Sequence, residues 1–513
     1  MKMLFIYPDV GGRSLNFSPA IEILSSYLKE RGAEISLIHL NNEVSGIEDG
    51  GVIKSDNYEE IYKRVLAFNP DVIGVTSTTF QYPIACEVAK NLKNRGWDKM
   101  IILGGIHATI APYDLKDSPF DAFSVGEGEK TLAELLRRLE CEEDITTIKG
   151  LNVKKGNVVI ENGYPEVIEN LDELPERDYE IMNAKEILKL SNGWFSTAFS
   201  RGCPYACKFC INQKLRKDYV GAVKGKYYRC QSVTKVITDL LSYIKAYPEI
   251  KVFNFDDDLL IMDKQWFEKF ADEYREKIYK KYGITYVINT RANLVNEEVV
   301  KLLKDSGCYE CQVGFETGNE ELRNKVLSKE ISNEQLLKAF SLFNKYGVRS
   351  LAYTMIGIPD ESVESMKETI KMLSILKPTL IRMTFFEPYI GTPLYDYCIE
   401  NELFDNEFGN ENNFTKSMVK LANISNRELV LFHLLFPWYL NLELGLEESI
   451  REKYQLLIDS YLEKADEEIN SLDIKKEIIE KDSLISSELR EQKISHFCYF
   501  SKNTNYFNYW RCN

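Results

Sequence analysis

Three cysteines lie on one short stretch, SRGCPYACKFC, from Ser200 to Cys210, while the other eight are scattered through the chain. Cys203, Cys207 and Cys210 offer three thiolates without a local fourth ligand, since no histidine occurs between His107 and His433. A structural zinc site is normally closed by four Cys or His side chains. A cubane 4Fe-4S cluster takes thiolates, and three of them leave one iron open to a chelator from outside the chain. Chance clustering of three buried thiols is the plain alternative, and confinement to one loop directly behind Arg201 argues against it. Other groups able to do chemistry follow: Asp256, Asp257 and Asp258, Arg291, Glu316, and the pair Cys308 and Cys311. Asp258 also suits the cap of the next helix, and Arg291 an ordinary surface. Residues three apart on a strand point to opposite faces, so Cys308 and Cys311 are read as packing. Cys498 and Cys512 lie near His496, with no spacing that assigns them a metal.

These residues need elements to hold them. From Trp194 six apolar runs, WFSTAFS, KVFNFDD, ITYVINT, ECQVGFETG, RSLAYTMIG and LIRMTFFEP, alternate with helical patterns. Six parallel βα units make an incomplete barrel with its chemistry at the C-terminal strand ends, and the cysteine loop follows the first strand directly. Upstream, MLFIY, EISLIHL, DVIGVTS, MIILGG and AFSVG alternate with helices near 19–31, near 84–95 and from Glu129, the pattern of a doubly wound α/β domain. Ser18 and Pro19 open the first helix as cap and first-turn proline, and Ile21, Leu24 and Leu28 share its inner face. The expected domains are 1–140, doubly wound; 141–192, a small hairpin and linker; 193–400, the partial barrel; and 401–513, a mainly helical region with a loosely patterned tail. Aromatics of that last region, Trp438, Tyr439 and the terminal NYFNYWRC, suit either an apolar substrate pocket or core, and core is commoner at helical spacing.

At 513 residues the chain exceeds one hydrophobic core, and its 44% apolar content is enough to bury several. A formal net charge of -15 argues against a nucleic-acid or anionic-membrane surface, which needs clustered Lys and Arg. No run of about eighteen uncharged apolar residues occurs, and MKMLFIYPDV turns polar too early for a signal peptide. The expected location is therefore the cytoplasm. Eleven cysteines without a short-range framework fit metal ligation or buried thiols in a reducing compartment, not disulfides.

The spacing C-x3-C-x-aromatic-C, with Phe209 as the aromatic, resembles the cluster loop of the radical S-adenosylmethionine (SAM) enzymes. The resemblance implies that Cys203, Cys207 and Cys210 hold a 4Fe-4S cluster whose open iron is chelated by the amino and carboxylate groups of SAM. One electron then cleaves SAM to methionine and a 5'-deoxyadenosyl radical. FNFDDDLL resembles the family's F-x-D-D-x-F element, which places Asp256 and Asp257 at the SAM amino group, and INTRANL supplies Arg291. QVGFETG resembles the G-x-E-x-G strand, with Glu316 near the ribose or amino group. MIGIPDES resembles the G-x-P-x-E turn beside the adenine, at Gly357, and PYIGTPLYD resembles the closure of the sixth strand. With Phe209 these residues make up the expected SAM site, and the resemblance covers about residues 194–397.

In the first domain no strand end carries G-x-G-x-x-G, so a nicotinamide or flavin fingerprint is missing. The run from Gly104 to Thr109, GGIHAT, with Gly126-Glu127-Gly128-Glu129, resembles the cobalamin-binding domain that precedes the barrel in one large radical SAM subfamily. That subfamily includes C- and P-methyltransferases and the ring-forming cyclase of bacteriochlorophyll synthesis. The chain is thus similar to the class B radical SAM methyltransferases. The resemblance makes Ser77, Thr78, Gly104, Gly105 and Glu127 the expected cobalamin contacts, Gly105 because bare backbone lets a flat macrocycle approach. Asp9 is followed by Val10 and Gly11, so the cobalt-ligating histidine of D-x-H-x-x-G is absent. His107 is read as a satisfied loop histidine.

The expected function is cobalamin-dependent methylation of an unactivated carbon, or of phosphorus, in a small-molecule, lipid or peptide substrate, with a 4Fe-4S cluster, SAM and cobalamin as cofactors. No tuned side chain deprotonates an unactivated C–H bond, so a radical is required. An external donor such as flavodoxin or ferredoxin supplies the electron. The alternatives are cyclisation, rearrangement or oxidation with both cofactors, and radical SAM chemistry beside an empty first domain. A methylthiotransferase resembles a different layout with three more N-terminal cysteines, where this chain has only Cys86 and Cys141. A scaffold without catalysis would leave the three cysteines dispensable for iron.

Overall fold

The computed structural model describes residues 1–10, 15–42, 52–222, 226–404, 416–469, 472–500 and 505–512. Part of the loop after the first strand, including Gly11, lies outside the described residues. The chain forms two compact units, one of Met1–Pro204 with Lys214–Asp257 and one of Tyr205–Gln213 with Asp258–Asn513.

The first unit opens with strands β1 (Lys2–Pro8), β2 (Glu34–Leu40), β3 (Val52–Ile53), β4 (Val72–Thr76), β5 (Met100–Gly104), β6 (Ala122–Ser124), β7 (Leu151–Lys155) and β8 (Val158–Ile160). Their order in one sheet is β3-β2-β1-β4-β5-β6-β7-β8. Pairs from β3 to β6 are parallel, and the β7–β8 hairpin continues the sheet antiparallel to β6. Winding reverses at β1, which has β2 on one side and β4 on the other, and a crevice forms outside the carboxyl ends at such a point. The strands are apolar in continuous runs, with Met3, Leu4, Phe5, Ile6, Ile73, Ile101 and Leu103 buried, as helix-covered parallel strands must be. The helix Pro19–Lys29 starts at Pro19, while Ser18 occupies the cap position without a side-chain capping bond; the ring of the proline, which fixes φ, sets the start.

Later in the same unit β9 (Trp194–Thr197) leads to the two-residue strands β10 (Ser200–Arg201) and β11 (Arg229–Cys230), which pair antiparallel, and β12 (Val252–Phe255) lies parallel to β9. In the second unit β13 (Thr285–Thr290), β14 (Cys308–Glu316), β15 (Arg349–Ile356) and β16 (Leu380–Phe385) are successive parallel neighbours. All six strands read from the sequence between Trp194 and Pro388 are therefore formed. Capping boxes at Ser332 with Gln335 and at Ser362 with Ser365 start the helices that follow β14 and β15.

The C-terminal region is helical over Asn426–Glu443, Glu448–Leu462 and Leu472–Glu491. The first of these is buried over most of its circumference, so it serves as a core helix. Trp438 is fully buried and donates from Nε1 to Asp482 at 2.8 Å, and the same carboxylate accepts the Tyr499 N–H at 2.8 Å. Trp438 is thus core, not pocket lining. The tail differs from its loosely patterned appearance: β17 (His496–Tyr499) and β18 (Tyr506–Trp510) pair antiparallel, and β18 pairs antiparallel with β16. Strands of four and five residues carry too little period-2 signal to be read alone, and their partner lies far back in the chain. Cys498 is buried beside Arg490, 3.5 Å from its Nη2, and Cys512 is exposed. Replacing Trp438 by Ala removes a fully buried indole and one partner of Asp482; a loss of about 3–5 kcal/mol is expected, read as a lower urea midpoint in near-ultraviolet circular dichroism.

Candidate cofactor sites

A cavity of about 310 Å³ opens at the carboxyl edge of the first sheet. Phe5, Leu24 and Leu132 give it apolar walls, Gly74, Gly104 and Gly105 a bare floor, and Glu127, Glu129, Ser200 and Arg201 a polar side. Gly105 has φ +89°, and a Cβ there would stand 2.7 Å from the Ser77 carbonyl oxygen and 2.8 Å from Thr76 Oγ1. Only glycine fits that approach.

Of the five cobalamin contacts expected from the sequence, Gly104, Gly105 and Glu127 line this cavity, while Ser77 and Thr78 do not. The Ser77 backbone ties β4 to β5, donating to the Gly104 carbonyl at 3.1 Å and accepting from His107 N at 3.2 Å, and its Oγ is buried with no hydrogen-bond partner. Thr78 closes the turn before the helix Tyr82–Asn94, exchanging bonds with its cap residue Gln81. His107 stacks on Tyr82 at 3.8 Å with Nε2 3.1 Å from Asp114, and burial lowers its pKa to about 4, leaving it neutral. Asp9, at the end of β1, meets His39 Nε2 from the end of β2 at 2.9 Å and accepts two bonds from Asn16.

Glu127 accepts from Arg229 Nη2 at 2.6 Å and Ile168 N at 3.0 Å and lies 3.2 Å from Arg201 Nη1; Glu129 pairs with Arg201 Nη2. Burial alone would raise the Glu127 pKa, but the Arg201 and Arg229 guanidiniums outweigh it and hold the carboxyl below its ordinary value. Asp257 is likewise engaged, with Oδ1 accepting the backbone N–H groups of Phe199, at 2.9 Å, and Ser200, and the Ser200 hydroxyl. Its contacts described here therefore fix the strand that leads into the cysteine loop. Its neighbour Asp256 is pushed up to about 7, by burial first and then by the Asp257 charge, against hydrogen bonds from Ser196 and Asn254.

In the second unit, Cys207 Sγ accepts from Arg291 Nη1 at 3.3 Å. Arg291 is 5% exposed, lies with Cζ 3.6 Å from the Tyr205 ring centroid, and also donates to Asn293 and to the Lys329 carbonyl. It is no ordinary surface arginine. Asn212 Nδ2 lies 3.9 Å from Cys210 Sγ and bonds Asp258 at 2.9 Å; the cap of the helix Lys264–Tyr274 is Asp263, not Asp258. Cys207 is buried and Cys203 and Cys210 are half-buried. Among the described residues no three Cys, His, Asp or Glu side chains already converge as a metal site.

Glu316 ends β14 just past a register shift and has φ +65°, with its carboxylate paired to Lys329 Nζ; both side chains are buried. A Cβ on Gly314 would lie 2.6 Å from Glu316 Oε1, so the missing side chain makes room for the pair. Phe209 lies with its ring centroid 5.9 Å from the same ammonium. Glu361 Oε2 accepts from Gly357 N at 2.6 Å and Ile358 N at 3.3 Å, and burial pushes this acid up to about 8. A protonated Glu361 thus pins the turn at Gly357. Sequence reasoning missed Lys329, which sits in a loop without periodicity, and the pairing of Arg201 with Glu127 and Glu129, which lie far upstream.

Residues 197–373 match the family model described as the radical SAM superfamily, and residues 16–136 match the B12 binding domain. An uncharacterized methyltransferase of Pyrococcus horikoshii is 29% identical over 410 residues, 79% of this chain and 84% of the relative. The anaerobic magnesium-protoporphyrin IX monomethyl ester cyclase of Rubrivivax gelatinosus is 25% identical over 450 residues, 84% of this chain and 75% of the relative. The radical S-adenosylmethionine methyltransferase TsrM from Kitasatospora setae, solved with cobalamin and a [4Fe-4S] cluster, shares the fold with a TM-score of 0.63 at 17% identity, covering 78% of this chain and 75% of that one. No helix among the described residues is long and apolar enough to cross a membrane. The α/β first domain, the strands and helices that follow it and the helical C-terminal region agree with these matches, which imply a 4Fe-4S cluster, SAM and cobalamin as cofactors. The chain thus joins a B12 binding domain to a radical SAM domain, the pairing expected from its sequence.

Proposed function

We propose that this enzyme is a methyltransferase in which Cys203, Cys207 and Cys210 ligate a 4Fe-4S cluster with one iron left to SAM, and in which the first domain binds cobalamin. The acceptor is a carbon or phosphorus centre of a small-molecule, lipid or peptide substrate. The observation that carries the reading is the cavity at the first sheet's carboxyl edge, whose apolar walls, glycine floor and charged side suit the nucleotide tail of a corrin. When bound, the cluster supplies the electron for SAM cleavage and the corrin a transferable methyl group.

The chain's own residues do the holding. Gly104 and Gly105 admit close approach, Ser77 Oγ is an unused donor beside them, and Thr78 and Glu127 shape the surrounding loops. Arg291 and Asn212 place N–H donors against the Cys207 and Cys210 sulfurs, a second layer of contacts that orients cluster ligands. Asp256 receives the SAM ammonium, Glu316 the ribose or amino group, Gly357 presents backbone to the adenine, and Phe209 is a further SAM contact. Asp257 acts through the loop backbone. The domains become 1–140, 141–192, 193–400 and 401–513, with the last conferring specificity, and flavodoxin or ferredoxin delivers the electron in the cytoplasm. The cyclase relative favours a second reading, in which the same radical closes a ring without methyl transfer.

Anaerobic reconstitution with iron, sulfide and hydroxocobalamin, followed by desalting, is expected to leave about four irons and one corrin per chain. Replacing any one of Cys203, Cys207 and Cys210 by Ala is expected to remove most of the iron. Four irons without corrin would overturn the cobalamin assignment. Under reducing turnover, S-adenosylhomocysteine and 5'-deoxyadenosine together are expected; 5'-deoxyadenosine alone would favour the ring-forming reading. With the Asp256 pKa near 7, its charge is mostly absent at pH 6 and mostly present at pH 8. SAM binding to the reconstituted protein should therefore tighten by about tenfold across that interval, and the dependence should flatten in Asp256→Asn, as measured by equilibrium dialysis.

A further inference from the structure

We propose that Arg201 is a positioning residue through which cobalamin binding and the order of the cluster loop depend on each other. The inference rests on the two-cofactor reading above. One residue belongs to both features: Arg201 lines the glycine-floored cavity, and its backbone stands on β10 two residues before Cys203. Whatever fixes its side chain fixes the point from which the loop departs.

The hold on it is internal and directional. Arg201 Nη1 lies 3.2 Å from Glu127, and Nη2 bonds Glu129, whose side chain is 4% exposed. Across the β10–β11 pair stands Arg229, which bonds the other Glu127 oxygen at 2.6 Å and the Ile168 carbonyl at 2.7 Å. From the next strand end, Asp257 fixes Phe199 and Ser200, and Ser200 also lines the cavity. Ser200 and Arg201 thus belong both to the polar side of the cavity and to the root of the cluster loop.

Two arginines against two carboxylates balance in charge, and charge-assisted bonds of this kind set geometry as well as energy. A ligand seated against Ser200 and Arg201 restricts them, and the loop rooted in them is restricted with it. A loop pinned through its thiolates likewise presents a preformed wall to the cavity. Such coupling is reciprocal in binding free energy: a corrin that steadies the loop is itself bound more tightly when the cluster is in place.

The test is the dissociation constant of hydroxocobalamin for the full chain with its cluster reconstituted, and for the same preparation stripped of iron. Tighter binding in the loaded form, on the order of five- to tenfold, is expected. In Arg201→Gln and in Glu129→Gln that ratio is expected to fall toward one. A residue that only supports the fold would weaken both forms alike and leave the ratio unchanged; that result overturns the inference. A ratio of one in the unsubstituted chain overturns it too, without depending on any variant folding. If the unsubstituted chain retains no iron or no corrin, the two-cofactor reading itself has failed, and this inference falls with it.

Discussion

A carboxylate taken out of water must be paired or protonated, and that constraint arranges the strand ends of this enzyme. Glu127 and Glu129 are paired with arginines, and Glu316 with a lysine. Asp257 accepts two backbone N–H groups on one oxygen, and Glu361 is raised to the point of protonation while it holds two N–H groups. Each arrangement ties a side chain that the fold must bury to a loop that the chemistry must aim. The acids at the carboxyl edges are therefore ligand-binding candidates and loop anchors at once: burial raises both Asp256 and Asp257, and Asp257 in addition holds the Phe199 and Ser200 backbone.

The same economy appears in the first domain. Its strands are short and continuous in apolar residues, which positions their ends within one crevice. Gly105 lets those ends approach more closely than any side chain would allow. The cavity below is consequently bounded by backbone on its floor and by charged residues on one side only. A rigid floor and a responsive side are what a flat, partly apolar ligand with polar substituents requires.

Much of this was legible in the amino-acid order because it depends on short-range pattern. The six strands from Trp194 onward are apolar runs bounded by turns, and the three cysteines stand within one loop, so neither needs tertiary information. The buried state of Arg291 was not legible, since nothing local distinguishes it from a surface arginine; only Tyr205 and Cys207, brought to it by the fold, do so. Thr78 reads as a ligand donor, and its exchange with Gln81 is a contact the sequence does not show. Lys329 carries no periodic signal at all. Distant pairings escaped for the same reason, including the antiparallel addition of β18 to β16, where a five-residue strand meets a partner fixed only by the finished fold.

That addition bears on how the chain is made. A strand at a sheet's margin leaves a row of unpaired N–H and C=O groups, the template on which other chains pair and aggregate. The margin of β16 is sealed by Tyr506–Trp510, with β17 outside it, so it stays open until those late residues emerge from the ribosome. During that interval four parallel strands of slow, non-local pairing are present without their seal. The hairpin therefore moves the sheet margin from β16 out to β17, whose four residues are buried, and ties through Asn441 to Phe497 and through Asp482 to Tyr499 hold it there.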